Sequence, residues 1–116
     1  MSIFSRIFGP KVAQISVQEA HDLLHSAEPP VIVDVRQPVE TQSGSVPGAV
    51  LIPLTEFGRR FYELPQDRPI LTICQSSHRS PFAARRLKKA GYDVQDVKGG
   101  MLVWQQAGLP VERPSS

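Results

Sequence analysis

Nearly uninterrupted apolar runs alternate along the chain with stretches in which apolar residues recur at helical spacing. The runs are Val31-Ile32-Val33-Asp34-Val35, Ala49-Val50-Leu51-Ile52 and Ile70-Leu71-Thr72-Ile73, with a weaker one from Val94 to Val97 and an edge candidate from Val12 to Ser16. The first three are continuous rather than alternating, which suits strands covered on both faces and hence a parallel sheet. Between them, Ser16 stands three residues before Glu19 at capping-box spacing and opens a predicted helix with Ala20, Leu23 and Leu24 as its apolar stripe. Further helices are predicted over Thr55 to Glu63, with Pro65 beyond the end, and over Gly99 to Ala107, closed by Gly108. The clearest helix runs from Ser80 to Ala90. Pro81 falls in its first turn, where a missing N–H costs nothing, Gly91 follows its end, and Ala83, Ala84, Leu87 and Ala90 form the arc predicted to face the sheet.

This alternation predicts an α/β domain, a central mostly parallel sheet of four to five strands with helices on both faces and right-handed crossovers. The domain is assigned to residues 13–110, preceded by an N-terminal segment, 1–12, and followed by a tail, 111–116. In the first segment Ile3, Phe4, Ile7 and Phe8 share one face ahead of Gly9-Pro10, which predicts a short amphipathic helix. Two turns bury too little for firm anchoring, so packing on its own domain or fraying is favoured over a partner or membrane-surface role.

A chain of 116 residues suits one domain, and 41% hydrophobic with 21% charged residues, close to the averages of globular proteins, favours neither a globally disordered nor a fibrous class. The formal net charge of +2 is too small to argue for nucleic acid, and Arg85, Arg86, Lys88 and Lys89 are read as a solvated helix face. No stretch approaches the roughly 18 apolar residues of a membrane span, and the first ten residues lack the apolar core and cleavage site of a signal peptide. One cysteine cannot form an internal disulfide, so a reducing, cytoplasmic location is expected.

That cysteine, Cys74, follows directly on the run Ile70 to Ile73, and parallel sheets bind ligands beyond the carboxyl ends of their strands. Gln75, Ser76, Ser77, His78, Arg79 and Ser80 lead from it straight into the helix, so successive amides can curl around a central sulfur. A thiol beside a helix amino terminus and an arginine has its pKa lowered from about 8.5 toward the reactive thiolate. The bland alternative is a small buried hydrophobe. Asp34 and Arg36, at another strand's carboxyl end, either pair with each other or line the pocket, and His78 is expected to face solvent rather than act as a base.

The loop Cys74-Gln75-Ser76-Ser77-His78-Arg79-Ser80 resembles the active-site loop of the rhodanese-like family. Val31 to Arg36, Val46 to Pro53 and Gly99 to Trp104 resemble its other signatures, in order and spacing over roughly residues 14 to 108. The resemblance implies a sulfurtransferase that carries a sulfane sulfur on Cys74 as a persulfide, from a small donor such as thiosulfate to a thiol or cyanide acceptor, with a protein acceptor as a further option. It implies no metal and no organic cofactor. Arg79 would draw anionic donors and steady the loop, while Gln75, Ser76, Ser77, His78, Ser80, Asp34 and Arg36 would line the substrate site. A sulfur carrier or regulatory binding module would look the same in sequence. A phosphatase or arsenate reductase is disfavoured, because the related phosphatases place five residues between cysteine and arginine and this chain has four. Two departures stand out. Ser77 replaces a glycine common in the family, at a cost of roughly 1 to 2 kcal/mol if the backbone there is left-handed. Ser45 replaces a common histidine and is expected to affect only the turn at Pro47-Gly48.

Overall fold

The structure, a computed structural model, describes residues 11–114. The amphipathic helix expected within residues 1–10 lies outside the described residues. Five strands form one sheet: β1 (Gln14–Ile15), β2 (Val31–Asp34), β3 (Val50–Leu51), β4 (Ile70–Ile73) and β5 (Val94–Val97). They lie in the order β1-β5-β4-β2-β3, and every pairing is parallel. The α/β architecture read from the apolar runs is therefore present, with β4 central and all carboxyl ends on one edge.

Helices cover both faces. Helix α1 (Val17–Leu24) and helix α5 (Gly100–Gln106) bury Val17, Ala20, Met101 and Trp104 against Ile32, Leu71, Ile73 and Val97. On the other face, helix α3 (Leu54–Arg60) and helix α4 (Ser80–Lys89) bury Phe57, Ala83, Ala84 and Leu87 against Val33, Ile70, Cys74 and Val94. A short helix α2 (Pro38–Thr41) lies beside the carboxyl edge. Each large side chain so covered contributes roughly 1.5–3 kcal/mol. Ser16 caps α1 as its spacing predicts, its Oγ accepting from the Glu19 amide at 3.1 Å. No helix among the described residues is long and apolar enough to cross a membrane.

Some expectations are corrected. Strand β3 is an edge strand, with Leu51 exposed, rather than one buried on both faces. On α1, Leu23 faces solvent while Val17 takes its place in the core. On α4, Ala90 lies past the last turn and is exposed, and the buried arc begins instead at Ser80. The helix expected over Thr55 to Glu63 starts at Leu54 and tightens after Arg60 into a 3₁₀ turn, Phe61–Glu63, ahead of Pro65. The tail does not begin at 111: Glu112 exchanges two backbone hydrogen bonds with Ser45, at 2.8 and 2.9 Å. The basic residues of α4 are largely solvated, with Arg86 resting over the Phe61 ring and Lys88 donating to the Lys11 carbonyl.

Candidate active site

Cys74 leaves the carboxyl end of β4 and is wholly buried, at 0% exposure. Its carbonyl accepts from the Met101 amide at 2.8 Å and the Gln75 carbonyl accepts from the Leu102 amide at 3.0 Å, so the first turn of α5 holds the start of the loop. At the loop's apex Ser77 has φ 65°, the left-handed conformation that a side chain disfavours. Its Oγ donates to the Val97 carbonyl at 3.1 Å and accepts from the Gly99 amide at 2.8 Å. Two such bonds, each worth about 0.5–1.5 kcal/mol, offset the strain. The glycine-to-serine departure thus preserves the loop by pinning it to β5 and the turn before α5.

Ser80 opens α4 and is itself buried, and its hydroxyl donates to Cys74 Sγ at 3.2 Å. Burial pushes the thiol pKa up, but the Ser80 hydroxyl and the amides of Ser80, Arg79 and Ser76 outweigh it, and the thiol lies below its ordinary value. The curled amides expected from the sequence therefore stand around the sulfur. His78 is exposed, with Nδ1 2.8 Å from Ser76 Oγ, as expected of a solvent-facing residue.

Arg79 forks onto Glu40 of α2, at 2.6 and 2.7 Å. Glu40 is a participant that sequence reading misses: 39 residues separate the two, and the local signal at Glu40 is only its acceptance of the Gln37 amide at the start of α2. The pair steadies the loop, and it leaves Arg79 less net field for an anion than a bare guanidinium would have. The Arg79 fork, against some cost of burial and with help from the Gln37 amide, holds the Glu40 pKa at about 2. Because the folded value lies below the unfolded one, this stabilisation is present above about pH 4.5 and is lost as pH falls toward about 2. Glu40→Gln is expected to flatten the loss of stability over that window, read as urea midpoints against pH. The effect is about 1 kcal/mol, since roughly a third of the pair meets solvent, which screens it.

Asp34 and Arg36 take the first of their two options and pair with each other in full burial, at 2.8 Å. Arg36 also donates to the carbonyls of Glu40 and Gly44 and to Gln75 Oε1 at 3.3 Å, so the pair fixes the α2 segment against the loop instead of meeting a substrate directly. Ser45, expected to influence only its turn, completes this network by donating to Asp34 Oδ2 at 2.7 Å. The chain folds Ser45 back over the end of β2, and a buried carboxylate needs every donor it can find.

The family model for the Rhodanese-like domain matches residues 16–107. The chain belongs to the rhodanese-like family. A sulfurtransferase of Allochromatium vinosum is 33% identical over 104 residues, which cover 89% of this chain and 97% of that protein. An HTH-type transcriptional regulator of Mycobacterium tuberculosis is 42% identical over 83 residues, 70% of this rhodanese-like chain but only 37% of the regulator. Among solved structures, a rhodanese-related protein from Thermoplasma volcanium has a TM-score of 0.81 at 28% identity, covering 86% of this chain and 97% of that one.

Proposed function

We propose that this rhodanese-like domain is a sulfurtransferase working through a persulfide on Cys74, with thiosulfate as a representative donor and a thiol or cyanide as acceptor. The observation that carries the reading is a sulfur held below its ordinary pKa by the Ser80 hydroxyl and three loop amides, in a loop with four residues between Cys74 and Arg79. The thiolate attacks the donor's outer sulfur; a sulfur–sulfur bond forms to Cys74, the donor's own sulfur–sulfur bond breaks, and sulfite leaves with the electron pair. The acceptor then attacks the outer sulfur of the persulfide and Cys74 departs as thiolate. The loop amides that favour the thiolate also suit the terminal persulfide charge. With a single cysteine in the chain, the persulfide cannot close to an internal disulfide, so turnover draws on an external acceptor. Intact-protein mass spectrometry after exposure to thiosulfate is expected to show one added sulfur that cyanide removes. An unmodified protein under these conditions would reject the reading.

The match to part of a transcriptional regulator supports a second reading, a persulfide-bearing sensor or carrier with little turnover. Such a module takes up the sulfur but releases thiocyanate slowly in a steady-state assay. A turnover assay with aryl phosphate addresses the phosphatase alternative, for which the short loop leaves little room beside Cys74.

A further inference from the structure

A second concavity lies at the opposite edge of the sheet from Cys74. It opens beside the first residues of β2 and β3 and the end of α1, and its volume of about 390 Å³ falls within the range of small-molecule sites. Leu24, Val31, Val46 and Val50 supply apolar wall, together with Trp104 of α5. The rings of His25 and His21 lie 4.4 Å apart, and His21 meets Trp104 edge-on at 6.0 Å, so three rings in succession form one aromatic side. Arg68 also lines the cavity, held in place by Nε and Nη2, which donate to the Pro29 carbonyl at 3.2 and 2.6 Å.

The polar groups of this wall are unequally committed. Four of its carbonyls are engaged from within: Pro29 accepts from Arg68, Pro110 from the Trp104 indole N–H at 2.9 Å, Val46 from the Ala49 amide at 3.0 Å, and His21 from His25 Nδ1 at 2.8 Å. Among the described residues no carboxylate lines the cavity and Arg68 forms no ion pair. Asp22, 3.9 Å from His21 Nδ1, is 70% exposed and stands outside the lining. The cavity therefore offers an apolar, partly aromatic surface and a guanidinium whose Nη1 is left over from the Pro29 contact. A cation would meet Arg68 with no counter-charge in the wall, and a polar neutral molecule would leave its own groups unpaired against apolar side chains. We propose that this cavity binds a small aromatic carboxylate, with the ring against the His21–Trp104 side and the carboxylate on Arg68. The site shares no lining residue with the loop from Cys74 to Ser80, so the inference stands apart from the proposed sulfur transfer.

The test titrates naphthoate and its neutral isostere naphthamide into the full chain. Binding is followed by calorimetry and by the indole N–H signal of Trp104, the one tryptophan in the chain, in proton–nitrogen NMR spectra. Naphthoate is expected to bind with a dissociation constant on the order of 0.1 mM and to shift the indole signal. Naphthamide is expected to bind about five- to tenfold more weakly, a modest ratio because Arg68 is exposed and solvent screens its charge. In Arg68→Gln the two compounds are expected to bind alike, since the amide can still donate to the Pro29 carbonyl but carries no charge. No indole shift with naphthoate, equal affinity for acid and amide in the parent, or a preference for the acid that survives in Arg68→Gln overturns the proposal. Shifts confined to residues 74–80 would put the acid at the active-site loop and overturn it as well. A protein that binds naphthoate as expected yet never acquires sulfur from thiosulfate would keep this site and lose the sulfurtransferase reading.

Discussion

Cys74→Ser is expected to abolish sulfur transfer while lowering stability by no more than about 1–2 kcal/mol. The loss is complete because the serine oxygen cannot take up and release a sulfane sulfur, and the chain holds no second cysteine to substitute for it. The fold survives because the smaller hydroxyl occupies a site that already contains a polar partner, Ser80, so the new buried group is not left unpaired. The check is paired: intact mass after thiosulfate, together with a denaturation midpoint. Residual transfer in this variant would place the reacting atom elsewhere.

Gly100→Ala is expected to lower stability by about 2–4 kcal/mol and to disable the loop even in molecules that remain folded. A Cβ at this position would stand 2.4 Å from the Cys74 carbonyl oxygen and 2.7 Å from the Gln75 carbonyl carbon, and these are backbone atoms that cannot rotate away. The residue also has φ +62°, which alanine resists. Relief requires α5 to withdraw from the loop, and that breaks the bonds from the Met101 and Leu102 amides that hold its first two carbonyls. Thermal melting gives the stability change, and the alkylation rate of Cys74 reports the loop. A variant with parental melting and alkylation would show that the backbones can separate at no cost.

The parts of the molecule that could be read from the sequence are those fixed by local rules. Continuous apolar runs marked β2 and β4 as interior strands, Ser16 and Glu19 marked the start of α1, and Pro81 with Gly91 bracketed α4. The order β1-β5-β4-β2-β3 brought Cys74 and Asp34 to one edge as the parallel arrangement required. What escaped depends on contacts between distant segments. Glu40 meets Arg79 only after two crossovers, Ser45 reaches Asp34 because its turn folds back over β2, and Asp96 lies beside Thr72 through strand register. A polar residue inside an apolar run, as Asp96 is within Val94 to Val97, was the available signal for the last of these. Leu51 failed in the opposite sense: its run looked interior, but no strand lies beyond β3 among the described residues to cover it.

The complete burial of Cys74 means that accepting a sulfur is also a problem of volume. Protein interiors contain few voids of atomic size, and forcing extra atoms into them costs roughly 1–3 kcal/mol unless the surroundings yield. Ser77 is tied to Val97 and Gly99, and the start of the loop is tied to α5, so the yielding side is the stretch from His78 to Arg79, braced from outside by Glu40. Were Cys74 to carry the sulfur proposed above, that stretch would have to give way to make room for it.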